Sequence, residues 1–402
     1  MNNFIKKIYK AFCFSLLLLN FNQASAEELT LSNWQWHGFL SQGIIDVNGS
    51  NFVNDDGSTS SELTELGINT SVQLLSNLRF AAQAVYLDGG NRYRKGARID
   101  YLLLDWAILN KNNWQANLYL GRFKNVHWLY SSVRDIPFAR PSIILPQSVY
   151  FDGFRDIAVG GDGAALKLSY SDDDYGDFDI NYSYGASPIS KEQQDIILSN
   201  IALGDIKQDF DSQASFYWRP AFSPWRFGLS LLHSDFSYQS AGQDFFADGK
   251  FSFKFFTLNA LYEGEQWEFS GEIYQEKFVT KGFYHPLFFQ DHLGQGAYLQ
   301  TRYKLDEDLT LLARYERFYG NKKDKKGKQL EIDSGGTIPA YFAFQNDLVL
   351  SLSYDLSNNF KLRLEQHWVE GGVRLTPVVL PNPMKNNQRY WQITALQLMM
   401  WF

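Results

Sequence analysis

The chain has 402 residues and a formal net charge of −7 at pH 7, which disfavours nucleic acid as a partner. Its mean hydropathy of −0.30 is that of a water-soluble protein, yet it contains 33 Phe, 23 Tyr and 11 Trp. A low mean hydropathy is compatible with many aromatic residues if apolar residues that face lipid alternate with polar residues, because their hydropathies cancel in the average. After residue 26 no stretch is long and apolar enough for a membrane-spanning helix, so the composition excludes a helical membrane protein.

The first 26 residues are typical of a secretory signal peptide. Three lysines precede an apolar run from Ala11 to Leu19, and Ala24-Ser25-Ala26 provides a cleavage site. We therefore expect export, removal of residues 1–26 and a single domain over residues 27–402. Cys13 is the one cysteine and lies inside this leader, so we expect no disulfide and no cysteine-ligated metal in the mature protein.

The rest of the chain alternates between apolar and polar residues with a period of two, which is typical of β-strands. Leu66, Ile68 and Val72 alternate with polar residues, and the pattern returns near residues 114–120, 177–184, 267–273 and 360–368. Charged side chains occupy many of the polar positions. Because charges facing lipid are costly, we expect that face to line a wet lumen.

Connections between the predicted strands are alternately short and long. Seven short turns and eight longer loops predict sixteen strands, with both chain ends on the rim of the short turns. Sixteen strands closed into an antiparallel barrel leave room for an aqueous channel, whereas eight do not. The longer loops are predicted near residues 48–61, 88–97, 123–160, 188–204, 240–249, 280–295, 319–342 and 372–388.

The last predicted strand ends in an apolar stripe of Leu396, Leu398, Met400 and the terminal Phe402. This ending resembles the terminal strand of Gram-negative outer-membrane barrels. With the sixteen strands and an unusually long third loop, the chain from residue 27 onward resembles a Gram-negative outer-membrane porin, either general or substrate-selective. The resemblance implies a location in the outer membrane, passive diffusion of small hydrophilic solutes through a water-filled channel, contacts with lipid and lipopolysaccharide, and a homotrimer.

The resemblance also implies that the third loop, residues 123–160, folds into the lumen as a constriction. Basic residues outnumber acidic ones along it, and a basic surplus at the narrowest point predicts a weak preference for anions. The alternative is that adjacent Arg-Asp pairs only pin the loop to the barrel wall. The candidates for the constriction are Arg122, Arg134, Asp135, Arg140, Arg155 and Asp156.

Charged positions on the strands are candidates for the lumen wall, where opposed charges would create a transverse field. The same alternation places Lys250 and Lys254 on the wall. The basic segment from Arg92 to Arg98 in the second loop could bind lipopolysaccharide phosphates or steer anions. The principal wall candidates are Arg79, Glu268, Glu272, Arg302, Arg314, Arg363 and Glu365.

Metal and catalytic signals are weak, and we expect no metal, no cofactor and no enzymatic activity. The run from Asp172 to Asp174 lacks the glutamate of a calcium loop. The competing hypothesis is an outer-membrane barrel enzyme of the lipase or protease type, because His37 lies near Ser41 and His233 near Asp235. No histidine, hydroxyl and orienting group converge by spacing, however.

Overall fold

The structure is a computed structural model that describes residues 34–55, 57–155, 160–379 and 381–402. Sixteen antiparallel strands each pair with their neighbours in sequence, and β1 pairs with β16 to close a barrel. Closure satisfies the backbone of every strand without a free edge, which is the condition for crossing a bilayer with strands. The predicted sixteen-stranded antiparallel barrel is therefore confirmed, whereas the predicted signal peptide lies outside the described residues.

Most strands are 11 to 16 residues long. They are β1 Trp34–Asn48, β2 Thr64–Leu75, β3 Leu78–Asp88, β4 Gly96–Lys111, β5 Trp114–Lys124, β6 Gly160–Asp172, β7 Gly176–Ala186, β8 Asp205–Arg219, β9 Trp225–Gln239, β10 Gly249–Glu263, β11 Trp267–Gly282, β12 Phe289–Lys304, β13 Leu309–Tyr319, β14 Phe344–Ser357, β15 Phe360–Gly371 and β16 Tyr390–Trp401.

Short turns join the strands at one rim and longer loops join them at the other, as the sequence predicts. Two helices lie in the longer loops, α1 Lys191–Leu198 before β8 and α2 Lys328–Asp333 before β14. The predicted loop at residues 280–295 is mostly strand, because β11 continues to Gly282 and β12 begins at Phe289. Among the described residues, no helix has the length and apolar character needed to cross a membrane.

Successive side chains alternate between the two faces of each strand, as the pleat requires. In β16, Leu396 and Leu398 on the outer face are 43% and 45% exposed, whereas Ala395 and Gln397 on the inner face are fully buried. The pairing of β16 with β1 is continuous for ten residue pairs. The backbone N–H and carbonyl of Phe402 extend it by bonding to Gly38 at 3.0 and 3.1 Å.

The inner face is not uniformly polar, and this corrects the prediction for β10. Phe251 and Phe255 point inward and are buried, whereas Lys250 and Lys254 share the outer face with the exposed Phe256. A period of two cannot tell which face is inside. A lysine near the end of a strand can extend its ammonium toward the interface, so an outward position there costs little.

Three apolar clusters fill much of the barrel interior, a minor one around Phe39, Leu87 and Tyr93 and two major ones. The larger combines Trp128 and Tyr150 from the third loop with inward residues of the strands such as Phe255 and Tyr274. The smaller packs Ile143 and Ile144 of the same loop against Ile45, Trp391 and other residues. The third loop therefore shares the protein core with the inner wall of the barrel.

Candidate functional site

Residues 125–155, which we call the lumenal segment, leave β5 and follow the inner wall through consecutive strands. A hydroxyl on each of five neighbouring strands meets the segment in order. The contacts are Ser183 of β7 to Asn125 Oδ1 (2.8 Å), Ser215 of β8 to the Val126 carbonyl, Ser230 of β9 to the His127 carbonyl, Trp128 Nε1 to Thr257 of β10 (3.0 Å) and the Tyr130 hydroxyl to Ser270 of β11 (2.9 Å).

The segment then crosses to β2 and returns along the opposite wall. Glutamates of three strands accept its hydrogen bonds on the way back. Glu365 of β15 accepts from the backbone N–H groups of Ile143 and Ile144 at 2.8 and 3.0 Å, Glu316 of β13 accepts from Ser148 N–H at 2.7 Å, and Glu272 of β11 accepts from the Tyr150 hydroxyl.

Two arginines of the wall bind the returning half as well. Arg314 donates to the Ser142 hydroxyl at 2.9 Å and to the Ile144 carbonyl at 3.0 Å. Arg363 donates to the carbonyl of Arg140 at 3.0 Å. Four of the predicted wall residues, namely Glu272, Arg314, Arg363 and Glu365, thus hold the lumenal segment in place.

Glu65 of β2 is the centre of the ion-pair network. Arg140 binds it with both terminal nitrogens, at 3.0 and 2.5 Å, and Arg155 approaches to 3.4 Å. All three side chains are at most 4% exposed. A buried carboxylate is tolerated only when it is paired and hydrogen-bonded, so the two arginines and the glutamate depend on one another.

Asp135 links this network to the strands where the segment begins. Arg155 Nε donates to it at 2.7 Å, and Lys124 at the end of β5 lies 3.1 Å from it and 2.7 Å from Asp100 of β4. Burial alone would raise the pKa of Asp135, but the charges of Arg155 and Lys124 hold this pKa well below its usual range. The carboxylate therefore stays ionised and keeps the segment fastened to β4 and β5.

Arg134 closes the lumenal segment on itself. One terminal nitrogen donates to the carbonyls of Tyr150 and Phe151 at 2.8 and 3.0 Å and to Asp152 at 3.1 Å. Only 1% of the Arg134 side chain is exposed. Arg134, Arg140 and Arg155 thus each donate to groups of the protein, as the pinning interpretation expects, although Arg134 Nε and Nη1 and Arg140 Nε have no partner among the described residues.

The other predicted residues form separate ion pairs. Arg122 makes a bidentate pair with Asp162 of β6 at 2.7 and 2.8 Å, and Asp156 lies outside the described residues. Arg302 binds Glu268 at 2.6 Å, and Arg79 binds Asp105 at 2.9 Å with half of its side chain exposed. These two pairs join neighbouring strands.

A cavity of about 320 Å³ opens beside the lumenal segment, at the long-loop ends of β4 to β6. Among the described residues of its lining, basic side chains outnumber carboxylates, although Asp162 and Glu65 outside the lining also pair with two of them. The basic residues are Arg94, Arg98, Arg122, Lys124 and Arg155, and the acidic ones are Asp100 and Asp135. The sequence predicts that the basic run of the second loop binds phosphates or steers anions. Its position at the mouth of the lumen follows from the pairing of β3 with β4.

The histidines do not form the relay that a hydrolase needs. His233 Nε2 lies 3.1 Å from Asp235 Oδ1 and 3.5 Å from Ser252 Oγ, so both partners meet the same ring nitrogen. A catalytic triad instead uses one nitrogen for the acid and the other for the nucleophile. His37 and Ser41 are separated by about 13 Å of extended strand. Within the described part of the chain, no group of three His, Cys, Asp or Glu side chains is arranged to hold a metal ion.

No protein-family model and no curated protein sequence matches this chain. Solved structures do. The anion-selective porin of Comamonas acidovorans shares 13% identity, with a TM-score of 0.56 over 92% of this chain and 99% of its own. OmpT, an outer-membrane protein of Vibrio cholerae, shares 11% identity, with a TM-score of 0.55 over 92% and 97%. The outer-membrane channel DcaP of Acinetobacter baumannii shares 10% identity, with a TM-score of 0.56 over 94% and 100%.

Identities this low establish similarity of fold alone. The likeness nevertheless extends over nearly the full length of both chains, and it agrees with the strand count and the closed pairing described above. The chain therefore has the sixteen-stranded barrel fold of the Gram-negative outer-membrane porins.

Proposed function

We propose that this protein is a non-enzymatic porin of the Gram-negative outer membrane, through which small hydrophilic solutes diffuse passively. The observation that carries the proposal is a solvated sector of the inner wall beside the lumenal segment. There the side chains of Arg79, Lys167 and Asp179 are 50%, 43% and 40% exposed. Charged groups that stay hydrated on the inner face of a barrel are what a water path requires.

The path would run from the basic cavity at the mouth along β3 to β7. A weak preference for anions follows from the excess of basic residues in that cavity, because charge at a narrow point acts on permeating ions before salt screens it. Arg98 is the leading candidate for this role, because Arg122 is held in a bidentate pair by Asp162. In this proposal Arg134 and Arg140 keep the lumenal segment in place and influence selectivity only through its position.

Planar-bilayer recording tests the proposal directly. The refolded protein should give discrete conductance steps in potassium chloride, and a salt gradient should give a reversal potential on the anion side. A protein that inserts, as shown by protease protection in vesicles, yet stays electrically silent would contradict the channel. A reversal potential on the cation side would contradict only the anion preference.

We also propose a homotrimer, on the analogy of the barrel fold and of the trimer form solved for OmpT of Vibrio cholerae. Lipid and lipopolysaccharide would then cover the remaining outer surface. Native mass measurement in mild detergent should give three copies. A single copy of the 46.4 kDa chain, or of its processed form, would refute the trimer and leave the channel proposal intact.

A further inference from the structure

A second cavity of about 340 Å³ lies near the long-loop rim, on the side of the lumen opposite the basic cavity. Its walls are mainly aromatic rings from inward positions of β9 to β13, together with loop residues before β14 and β16. The rings include Phe236, Phe251, Phe253, Phe278, Phe318 and Phe342. A volume of a few hundred Å³ with apolar walls and few polar groups is typical of sites for small organic ligands.

The roof of this cavity is formed by loops from opposite sides of the barrel. Val378 and Val379, in the loop before β16, donate backbone hydrogen bonds to the carbonyls of Ile196 and Ile197 in α1 at 3.2 and 2.9 Å. Ile197 belongs to the larger apolar cluster, and Val378 and Val379 pack against it. The roof thus covers part of the aromatic walls and limits their contact with water, which favours binding of an apolar ligand.

Polar residues interrupt the aromatic lining, and those such as Gln290, Asn321 and Asp324 are at least partly exposed, whereas Arg374 is buried. Arg374 is 4% exposed, lies over the ring of Phe318 with 3.4 Å from Cζ to the centroid, and donates to Glu276 at 3.3 Å. Its Nε has no hydrogen-bond partner among the described residues, and neither has Nδ1 of His292 in the same wall. Buried polar atoms normally find partners, so these two atoms call for an acceptor or a donor from outside the chain.

We propose that this cavity binds an uncharged molecule of one or two rings that carries a hydrogen-bonding oxygen. An apolar cavity of about 150 Å³ already accepts benzene, so twice that volume accommodates a ring with a polar substituent. Rings of the ligand would pack edge-to-face on the phenylalanines, and its oxygen would accept from Arg374 Nε.

The neutral class follows from the pairing of Arg374 with Glu276. Because the buried guanidinium is already compensated by a carboxylate, a ligand charge placed beside this pair would be uncompensated, since the other carboxylates of the lining, Asp324 and Asp333, are at its exposed part. A matched neutral alcohol avoids that cost. The site lies near the proposed diffusion path, but its occupation does not depend on conductance, so binding and channel activity can fail independently.

Isothermal titration of the refolded full chain in detergent, with benzyl alcohol, benzoate and benzylammonium as matched probes, tests the inference. We expect saturable binding of benzyl alcohol and affinity lower by about tenfold or more for both charged probes. Val378→Trp and Ile338→Trp, which fill the cavity from two different loops, should each reduce the affinity for benzyl alcohol by about tenfold or more. Met384→Trp is the matched control, because Met384 is 87% exposed in the same loop as Val378; it should leave the affinity within about twofold.

Tighter binding of benzoate than of benzyl alcohol would overturn the neutral class. Unchanged affinity in a correctly folded cavity variant would overturn the location, and the second variant decides the matter if the first does not fold. Loss in the cavity variants alone, with Met384→Trp unaffected, would support the site whatever the bilayer recordings give.

Discussion

Charged side chains on the two sides of the inner wall differ in how deeply they are buried. From β9 through β15 and on to β2, charged side chains such as Glu65, Glu272 and Arg314 are buried under the lumenal segment. From β3 to β7, Arg79 and Lys167 stay hydrated, although Lys124 and Asp100 are buried against Asp135 at the long-loop end of this sector. A charge on the inner face can therefore serve either as an anchor for a loop or as a lining of a water path, and its burial distinguishes the two roles.

The two roles also differ in how much an ion pair contributes to stability. An ion pair in water contributes little, because screening and lost side-chain entropy offset the attraction. A buried pair is different, since removing one partner leaves the other charged and desolvated. Substitutions on the packed side should therefore disturb the fold of the lumenal segment, whereas those on the solvated side should alter ion permeation with little effect on stability.

The largest effect is expected for Glu65→Ala, which leaves Arg140 and Arg155 without their shared counterion. We expect a loss of about 3–5 kcal/mol in the free energy of unfolding, as for other buried pairs that lose one partner. The lumenal segment should also detach from β2. Urea denaturation of the folded protein in detergent, with cleavage of the segment by trypsin as a second readout, measures both.

Glu268→Ala is the matched control for Glu65→Ala. It removes the partner of Arg302 in a pair that bridges β11 and β12 and whose side chains are 22% and 27% exposed. It should cost about 1 kcal/mol or less. Equal losses in the two variants would mean that burial does not distinguish an ion pair that anchors the lumenal segment from one that does not.

Acid should weaken the packed side through His127. This side chain is 1% exposed, and its ring centroid lies 4.0 Å from that of Trp128 in a tilted arrangement. Burial, with a smaller effect of the Arg134 charge, lowers its pKa to about 3. The unfolded chain binds a proton near pH 6.5 and the folded chain does not. Stability is therefore full above about pH 6.5 and falls between there and pH 3, by about 3 kcal/mol at pH 4.5.

His127→Phe keeps an aromatic ring in contact with Trp128 and removes the titration. Urea midpoints measured from pH 7 to pH 4.5 should fall less steeply in this variant than in the wild type, because the other titrating groups are common to both. Identical slopes would show that His127 is hydrated in solution and does not belong to the packed side.

On the solvated side, Arg98→Glu should move the reversal potential in a salt gradient toward cations. The change places a carboxylate in the basic cavity, where we expect the anion-to-cation permeability ratio to fall by about twofold or more. Lys328→Glu is the control, because it makes the same charge change at an exposed position of α2 away from that cavity. Equal shifts in both variants would mean that the overall field of the loops, and not the cavity, selects ions.

The sequence predicts the strands of the barrel better than it predicts the path of the lumenal segment. Strand number, turn positions and the outer apolar stripe follow from local alternation, which is why they were predictable. The long third loop was also visible, but its path was not, because Glu65 and Arg140 are 75 positions apart and Glu365 and Ile143 are 222 positions apart. Only closure of the barrel brings such residues together.

The prediction of a polar inward face for β10 is wrong for a related reason. Alternation assigns Phe251 and Lys254 to opposite faces without saying which face is inside. Because a polar lumen is expected, the sequence predicts that Lys254 points inward. An aromatic inner face becomes intelligible only with the lumenal segment and the roof loops in place, because together they exclude water from the phenylalanines.

The smallest effect is expected for Arg79→Gln. Arg79 binds Asp105 at 2.9 Å, but half of its side chain is exposed and Asp105 also accepts a hydrogen bond from Asn117 at 2.6 Å. Asp105 thus keeps a partner when the arginine is lost, so the free energy of unfolding should change by about 1 kcal/mol or less, within reach of urea denaturation. Since the variant also removes one hydrated positive charge from the proposed path, the permeability ratio should shift slightly toward cations. A change of 3 kcal/mol or more, about that of a buried pair, would show that the β3 to β7 sector is packed like the opposite wall.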